Sequence, residues 1–219
     1  HGDALHVSDF VPSRPGLEVF MPHEGSNQAA YTMRDAKTCQ IIFQGPNTNG
    51  MEGPGRGVAA DVDPKHPGAE AWTNSSSLLA AESGMSAGSR PASCNFLVWW
   101  DADLSRELLD GNKITNADGA GTDFTAEGCT AINGTKSTPN LSADLIGDFR
   151  EEVLFRCGNE LRLYTTTDPT QHRIYTLMHD PQYRAAIAFQ NVAYNQPPHP
   201  SFHVGEGMAP PPRPDIHVK

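Results

Sequence analysis

Two basic side chains in glycine-containing loops are the first candidates for chemistry in this sequence. Arg56 stands in the Gly-Pro-Gly-Arg-Gly loop 53–57, and Lys136 ends the Asn-Gly-Thr-Lys segment 133–136. Each precedes a short run that ends in aspartate, at the same point of two sequence repeats, so we expect both at one mouth of the fold. Glycine lets the backbone approach a ligand closely, and a positive charge there suits an anionic substrate. Solvated surface charge is the alternative interpretation.

Carboxylates recur at equivalent turns of the repeats and are candidates for calcium binding. Calcium takes six to eight oxygen ligands, and an Asp-x-Asp pair with turn carbonyls supplies several of them. The candidate carboxylates are Asp3, Asp9, Glu18, Asp61, Asp63, Glu70, Asp101, Asp103, Asp144, Asp148 and Glu151, with Glu107 and Glu152 in the same constellation. The alternative is that an aspartate at a strand end caps a turn of its own backbone.

The first six residues hold a separate motif, His1-Gly2-Asp3-x-x-His6. Two histidines and a carboxylate at this spacing suit a transition metal, or a catalytic base with its orienting acid. Histidines at the surface or packed in a core are the ordinary alternative.

Composition indicates the class of element that must position these groups. The 219 residues include 20 glycines and 18 prolines, which favours an all-β protein with many turns. The net charge of -10 argues against a nucleic-acid partner, since phosphate binding needs a clustered basic surface. It is compatible with bound divalent cations. No apolar run approaches the roughly 20 residues that span a bilayer, so we expect no membrane partner.

A repeat organises the chain. Asp-x-x-Pro-x-x-Pro-Gly-x-Glu-x-aromatic occurs at 9–20 and again at 61–72, and looser copies start at Asp101 and Asp144. The starts are 52, 40 and 43 residues apart, which is typical of the four-stranded blades of a β-propeller. The sequence therefore predicts a β-propeller, of which this chain supplies four to five blades.

Further segments complete this prediction. Helical repeats of similar length are disfavoured because the apolar segments are short and separated by Pro and Gly. The predicted strand segments are 39–45, 95–100, 160–167, 173–178 and 185–190. Residues 111–131 are predicted to be a long irregular loop over one face, and the Pro-rich residues 197–219 a closing tail at the surface.

The four cysteines, Cys39, Cys94, Cys129 and Cys157, have no C-x-x-C spacing, which argues against a zinc or redox motif. One or two disulfides are compatible with an oxidising compartment, and two disulfides allow three pairings. Four free thiols are the alternative. Glycosylation sequons at Asn74, Asn133 and Asn140 are weak evidence for secretion.

Several long motifs resemble one enzyme family. The segments HGDALHVSDF, DVDPKHPGAEAW, ADLIGDFREEV and YTLMHDPQYRAAIAFQNVAYNQPPHPSF are similar to the rhamnogalacturonan lyases of polysaccharide lyase family eleven. The resemblance covers nearly the whole chain and aligns it with the carboxyl-terminal part of such an enzyme. We therefore expect the chain to hold the carboxyl-terminal blades of a single propeller domain, without the amino-terminal blades.

The resemblance implies an eight-bladed β-propeller that binds calcium, is secreted, and acts as a monomer on pectic polysaccharide. The implied reaction is β-elimination in the rhamnose and galacturonate backbone of rhamnogalacturonan I. The implied central-cleft residues are Arg56, Lys136 and Tyr194, with Asn133, Gly134 and Thr135 as substrate contacts. His1, Asp3 and His6 are implied in a cluster that binds calcium and contacts substrate.

These residue types suit an elimination. Removing the proton beside a uronate carboxylate requires that the developing negative charge be neutralised, which Arg56 or calcium can do. Lys136 with a lowered pKa, or Tyr194, can take that proton or protonate the leaving oxygen; the residues leave this assignment open. Two alternatives also stay open: a non-catalytic, calcium-stabilised carbohydrate-binding propeller, and an inactive fragment of a lyase.

Overall fold

The computed structural model describes residues 1–192, 196–211, 213 and 214. In this part of the chain, four antiparallel sheets follow one another as blades of a β-propeller. The predictions of an all-β protein and of a propeller are confirmed. None of the helices formed by the described residues is long and apolar enough to cross a membrane.

The first two sheets each have four strands in chain order. The strands of the first sheet are β1 His6–Ser8, β2 Glu18–Pro22, β3 Tyr31–Asp35 and β4 Ile41–Gln44. The strands of the second sheet are β5 Gly57–Ala60, β6 Glu70–Thr73, β7 Leu78–Ala80 and β8 Ser86–Gly88.

The third sheet again has four strands, and the fourth has three among the described residues. The strands of the third sheet are β9 Leu97–Val98, β10 Glu107–Asp110, β11 Lys113–Thr115 and β12 Thr122–Thr125. The strands of the fourth sheet are β13 Leu141–Ala143, β14 Glu152–Cys157 and β15 Glu160–Tyr164. The described residues form four of the expected four to five blades. The eight blades of the family stay a prediction.

Burial falls from the first strand of each blade to the last. Every residue of β5 and β9 is buried, whereas β8 and β12 are exposed or half-buried. A strand that is buried on both faces has a continuous apolar sequence, as Val58, Ala59 and Ala60 of β5 do. The first strands therefore lie innermost in the ring, and the loops that precede them open at one mouth.

Apolar side chains fill the space between successive sheets. The core between the first and second sheets includes Phe20, Met33, Ala59 and Ala71. The core between the second and third includes Val58, Trp72, Leu97 and Leu108. The core between the third and fourth includes Val98, Leu109, Val153 and Phe155. Side chains alternate between the two faces of a strand, so Val58 and Ala59 serve different cores.

The repeated glutamate ties the turn between the first two strands of a blade. One carboxylate oxygen of Glu70 accepts hydrogen bonds from the backbone N–H groups of Val62 (3.1 Å) and Asp63 (3.2 Å). Glu18 accepts from the two equivalent residues of the first blade, and Glu152 from those of the fourth. This contact explains why the repeat spaces its aspartate and glutamate across a turn.

Two of the predicted strands are wrong. Residues 185–190 lie in or at the end of helix α1, Pro181–Phe189, and 173–178 form no strand but lead into a short 3-10 helix, Leu177–His179. The side chain of Asp180 caps α1 by accepting from the backbone of Gln182, and Pro181 occupies the first turn. Both residues are helix-start signals, and they explain why the apolar run that follows forms a helix and not a strand.

The predicted loop at 111–131 is also wrong. It contains β11 and β12, which complete the third sheet. The Gly, Asn and Asp residues that suggested an irregular loop form the turns at each end of β11, including the left-handed Gly111 and Gly119. Turn residues mark chain reversals, and closely spaced reversals leave room for strands of three or four residues.

Helix α1 and the segment after it contact the innermost strands β1 and β13. The side-chain amide of Gln190 accepts from the backbone N–H of Ser142 (2.8 Å) and donates to its carbonyl (3.0 Å), as a neighbouring strand would. Gln182 donates to the carbonyl of Val7 (3.0 Å). Residues 197–200 are buried, so this part of the predicted surface tail lies inside, while Pro212 and 215–219 lie outside the described residues.

One disulfide joins Cys129 to Cys157. Cys129 follows the last strand of the third sheet and Cys157 ends β14, so the bond links two adjacent blades. Cys94 is a buried free thiol and Cys39 an exposed one. Of the options that the sequence left open, the structure selects a single disulfide.

Candidate active site and cation sites

The loop that carries Arg56 is built on close backbone contacts. The backbone N–H of Asp3 donates to the carbonyl of Gly55 at 2.8 Å. Gly55 has a φ of +63°, and a Cβ there would lie 2.7 Å from Cγ of Glu24. Only glycine fits this position without a shift of its neighbours. The glycine therefore fixes Arg56 at the start of β5, beside the loop that precedes β1.

The Asn133 to Lys136 loop is a strained turn. Residues Gly134–Lys136 form a 3-10 helix, which is flanked by Asn133 (φ 65°) and Ser137 (φ 52°) in the left-handed region. A non-glycine residue in that region costs about 1–3 kcal/mol and persists where the surroundings impose it, often at functional sites. The turn exposes Asn133, Gly134 and Thr135 to solvent.

Arg56 contacts this turn directly. Its guanidinium donates to Oγ1 of Thr135 at 2.7 Å and to the carbonyl of Thr135 at 3.0 Å. It also lies 3.4 Å from Oδ1 of Asn95, whose amide donates to Asp110 at 3.1 Å. The structure thus brings together the two cationic loops that the sequence placed at one mouth.

Lys136 forms an ion pair with Asp3. The side chains are 11% and 9% exposed respectively. Asp3 precedes β1, Arg56 precedes β5, Asn95 precedes β9 and Lys136 precedes β13. The loops before all four innermost strands therefore converge on one site.

Glu24 belongs to this site and was not predicted. Its carboxylate lies 2.9 Å from Nδ1 of His1. Burial raises the pKa of Glu24, and the nearby carboxylates of Asp3 and Glu52 raise it further. His1, Asp3 and Glu24 form a set of nitrogen and oxygen donors that suits a cation, which would relieve the repulsion between the carboxylates. Glu24 escapes sequence reasoning because it lies in no repeated motif.

His6 lies in a buried network beneath the site. Its Nε2 donates to the carbonyl of Gly57 at 2.8 Å, so its Nδ1 is the acceptor for Nε2–H of His199 at 3.0 Å. Arg106 in turn approaches Nδ1 of His199 at 3.4 Å. Burial lowers the pKa of His6 to about 4, which keeps the ring neutral. Both ring nitrogens are engaged; His6 as a metal ligand stays a prediction, which would require one of these bonds to break.

Arg106 connects this network to the fourth blade. It donates to the carboxylate of Glu151 at 2.8 Å, and both side chains are almost fully buried. Tyr183 of α1 donates to the other oxygen of Glu151, Oε1, at 2.6 Å. The backbone N–H of Trp99 donates to Oε2, the oxygen that Arg106 contacts. Burial raises the pKa of Glu151, and Arg106 opposes that shift. Glu151 is thus satisfied by protein donors in this arrangement.

The predicted calcium ligands of the second and third blades include carboxylate oxygens that could bind a cation. Asp101, Asp103 and Glu107 each place an oxygen within 4.8 Å of the others. Both carboxylate oxygens of Asp61 and Oε1 of Glu70 are buried without a hydrogen-bond partner. Burial raises the pKa to about 7 for Asp61 and about 8 for Glu70. Closely spaced oxygen donors whose charge is poorly solvated fit a calcium ion.

The remaining candidates differ in how far they are engaged. Asp144 accepts from four donors: the backbones of Gly147, Asp148 and Leu177 and the hydroxyl of Thr176. Asp148 pairs with Arg150 at 2.5 Å. In the first blade, one oxygen of Asp9 is buried without a partner, and Glu18 ties its turn with a pKa raised by burial to about 7. Asp63 contacts His66 at 3.8 Å. Metal roles for these residues stay predictions, as does the role of Tyr194, which lies outside the described residues.

Comparison with known proteins identifies the family. Residues 1–214 match the C-terminal domain of rhamnogalacturonan lyase family 11. The chain is 52% identical to the rhamnogalacturonan endolyase YesW of Bacillus subtilis (strain 168), covering 100% of the chain and 36% of that protein. It is 43% identical to the rhamnogalacturonan exolyase YesX of the same organism, covering 100% of the chain and 39% of that protein.

Solved structures agree with this match. The structure of the Bacillus licheniformis rhamnogalacturonan lyase PL11 superposes with a TM-score of 0.93 at 52% identity, over 100% of this chain and 38% of that one. The chain thus spans little more than a third of the length of the relatives it matches. It belongs to rhamnogalacturonan lyase family 11, as the C-terminal domain of that family.

Proposed function

We propose that this domain supplies the proton-transfer and charge-neutralising residues of a calcium-dependent rhamnogalacturonan lyase. The observation that carries the proposal is the convergence of Arg56, Thr135, Lys136 and Asp3 at one mouth. Membership of the family and the names of the relatives, one an endolyase and one an exolyase, support the substrate class. The partner we propose is therefore a pectic polysaccharide, rhamnogalacturonan I.

Arg56 would bind the uronate carboxylate. A guanidinium offers a planar fork of donors that matches a carboxylate, and it stays charged throughout the reaction. Thr135 and Asn95 hold this fork in place at 2.7 to 3.4 Å. As the adjacent carbon loses its proton, negative charge develops on the carboxylate, and a donor that is already oriented stabilises it without reorganisation.

Lys136 would move a proton at the sugar. In β-elimination, a base removes the proton beside the carboxylate, a carbon–carbon double bond forms, and the glycosidic oxygen leaves with a proton. The ion pair with Asp3 aims the amine of Lys136, which suits this side chain for donating a proton to the leaving oxygen. We propose Tyr194 as the second proton-transfer residue, as the resemblance implies.

Calcium would be held by His1, Asp3 and Glu24 at the mouth, and by the carboxylates of the second and third blades elsewhere. Bound at the mouth, calcium supplies positive charge that offsets the uronate carboxylate. In this chain, Asp3 orients Lys136 and Glu24 holds His1 at 2.9 Å. The blade carboxylates would bind calcium in a structural role.

We further propose that the protein is secreted as a monomer. The Cys129–Cys157 disulfide supports an oxidising, extracellular environment. The net charge of -10 supports the absence of a nucleic-acid partner.

The test is the complete protein with rhamnogalacturonan I and calcium, followed by ultraviolet absorbance of the unsaturated uronate product. We expect absorbance to rise, and to rise far more slowly for Arg56→Lys, because lysine lacks the planar fork. Arg90→Lys, at an exposed arginine, is the matched control and should behave as the wild type.

Binding of rhamnogalacturonan I without any product would instead support a carbohydrate-binding propeller. Product from the complete protein but none from the 219-residue chain would show that the chain alone is an inactive fragment.

A further inference from the structure

The side-chain amide of Asn95 lies between a group that only donates hydrogen bonds and a group that accepts them. Its Oδ1 is 3.4 Å from Nη1 of Arg56, and its Nδ2 donates to Oδ1 of Asp110 at 3.1 Å. A guanidinium has no acceptor, and an ionised carboxylate has no donor. If the amide were turned over, its NH2 group would face the guanidinium and its oxygen would face the carboxylate. Asp110 therefore selects the orientation in which Asn95 presents an acceptor to Arg56.

This acceptor complements those that Thr135 supplies to the same guanidinium. Nη1 of Arg56 donates to the carbonyl of Thr135 at 3.0 Å, and Nη2 donates to its Oγ1 at 2.7 Å. Thr135 precedes the first strand of the fourth blade, whereas Asn95 precedes the first strand of the third. The guanidinium is thus held from two blades, and its direction depends on both contacts.

Asp110 lies on a well-defined part of the third blade. It is the last residue of β10 and pairs with Lys113 of β11, so residues 111 and 112 form a tight turn between the two strands. Side chains carried by paired strands are held more precisely than side chains on loops. The backbone N–H of Gly111 also donates to the carbonyl of Ser137 at 3.2 Å, directly after Lys136. This turn therefore supports the loops of both cations at the mouth.

We propose that Asp110 is a positioning residue, which orients Arg56 toward the uronate carboxylate through the amide of Asn95. The inference rests on the proposed function, in which Arg56 binds that carboxylate. In this role, Asp110 must supply an accepting oxygen to Asn95. The competing role is that Asp110 only stabilises the turn between β10 and β11, in which case its replacement acts in the same way whether or not Asn95 is present.

A double-mutant cycle in the complete lyase separates these roles. We expect Asp110→Ala to lower kcat on rhamnogalacturonan I at least about tenfold, because a misplacement of about 1 Å can cost about 100-fold. The same substitution should have no further effect on kcat when position 95 is already alanine. An equal loss of kcat with and without Asn95 would overturn the proposal.

Two further variants complete the cycle. Asp110→Asn retains an oxygen that accepts from Asn95, so its kcat should stay within about threefold of the wild-type value. Asp118→Ala, at an exposed aspartate in the turn between β11 and β12, is the matched control and should behave as the wild type. An Asp110→Asn variant as slow as Asp110→Ala would overturn the role of Asp110 as an acceptor.

Crystal structures of the complete Asp110→Ala and Asp110→Asn variants give a readout that does not depend on activity. We expect the guanidinium of Arg56 to lose its contact with Asn95 in the first variant and to keep its position in the second. If the wild-type lyase forms no unsaturated product, the proposed function fails, and these two structures still decide the role of Asp110. A guanidinium that stays in place in Asp110→Ala would overturn the proposal.

Discussion

At the scale of single residues, the ion pair between Lys136 and Asp3 has two consequences for the site. It aims the amine at the mouth, and it buries two charges whose separation would be unfavourable. An alanine at position 136 would remove the amine and leave Asp3 buried without its partner, so a loss of activity would be mixed with a loss of stability. Arginine keeps the charge and changes the proton-transfer chemistry.

We therefore expect Lys136→Arg to lower kcat of the complete lyase by at least about 100-fold, which is the usual contribution of a positioned acid or base. The Tm should stay close to that of the wild type, because the guanidinium can still pair with Asp3. The measurements are ultraviolet absorbance of the product and calorimetry. Lys113→Arg, at an exposed lysine of β11, is the control, and an active Lys136→Arg variant would remove Lys136 from the proton transfer.

The residues of the mouth could be predicted only where a motif marked them. Arg56 and Lys136 stand in glycine loops at equivalent points of a repeat, and the structure brings their loops into contact. Glu24 has no such signal: it joins the site because β2 returns the chain to the loop that precedes β1. Asn95 likewise depends on the ring, since it meets Arg56 from the next blade.

At the scale of elements, the repeated glutamate separates two interpretations of the same sequence motif. As a turn tie, Glu70 needs only one oxygen that accepts from Val62 and Asp63. As a calcium ligand, it needs a carboxylate. Glutamine retains the accepting oxygen and lacks the charge, so it distinguishes the two roles.

We expect Glu70→Gln to cost less than about 1 kcal/mol in the free energy of unfolding, and Glu70→Ala about 2 kcal/mol or more, because alanine leaves two backbone donors without an acceptor. Urea unfolding in the absence of calcium measures both. Glu82→Ala removes a carboxylate that bonds an exposed serine hydroxyl and should have little effect. A Glu70→Gln variant as unstable as Glu70→Ala would show that the charge matters.

The disulfide is an element-scale feature that the sequence left open. Cys129 and Cys157 are 28 residues apart and close a loop between two blades. In the chain-entropy view, such a loop contributes about 3.6 kcal/mol by restricting the unfolded chain. Spacing alone could not select this pair, because the adjacency of the two cysteines depends on how the third and fourth sheets pack.

Replacing Cys129 by serine should therefore lower the free energy of unfolding by about 2–4 kcal/mol, measured by urea unfolding under oxidising conditions. Cys39→Ser, at an exposed free thiol, should leave it nearly unchanged. The effect of Cys129→Ser should vanish when both proteins are compared in reducing buffer. A persistent difference there would mean that the serine itself disturbs the core.

At the scale of the whole molecule, the repeat predicted the ring and could not predict what lies inside it. Each blade carries its own motif, so four blades follow from four copies. The segment 181–200 has no repeat, and its apolar run resembles a strand until Asp180 and Pro181 are read as a helix start. This segment contacts β1 of the first blade and β13 of the fourth blade. No local sequence pattern predicts such long-range contacts.

The concentration of carboxylates in the second and third blades leads to a final prediction about the whole molecule. The oxygens of Asp101, Asp103 and Glu107 lie within 4.8 Å of one another. Neither oxygen of the buried Asp61 has a hydrogen-bond partner, and Nε2 of His203 lies 3.6 Å from one of them. Binding at such a site stabilises the folded state by about 2.7 kcal/mol when the ion is at 100 times its dissociation constant.

Chelation with EGTA should therefore lower the Tm, and calcium should restore it. Asp103→Asn should reduce this gain, while the same concentration of magnesium should restore less, because magnesium requires a tighter octahedral site. An unchanged Tm on chelation, with calcium removal verified by metal analysis, would contradict a structural role for calcium in these blades.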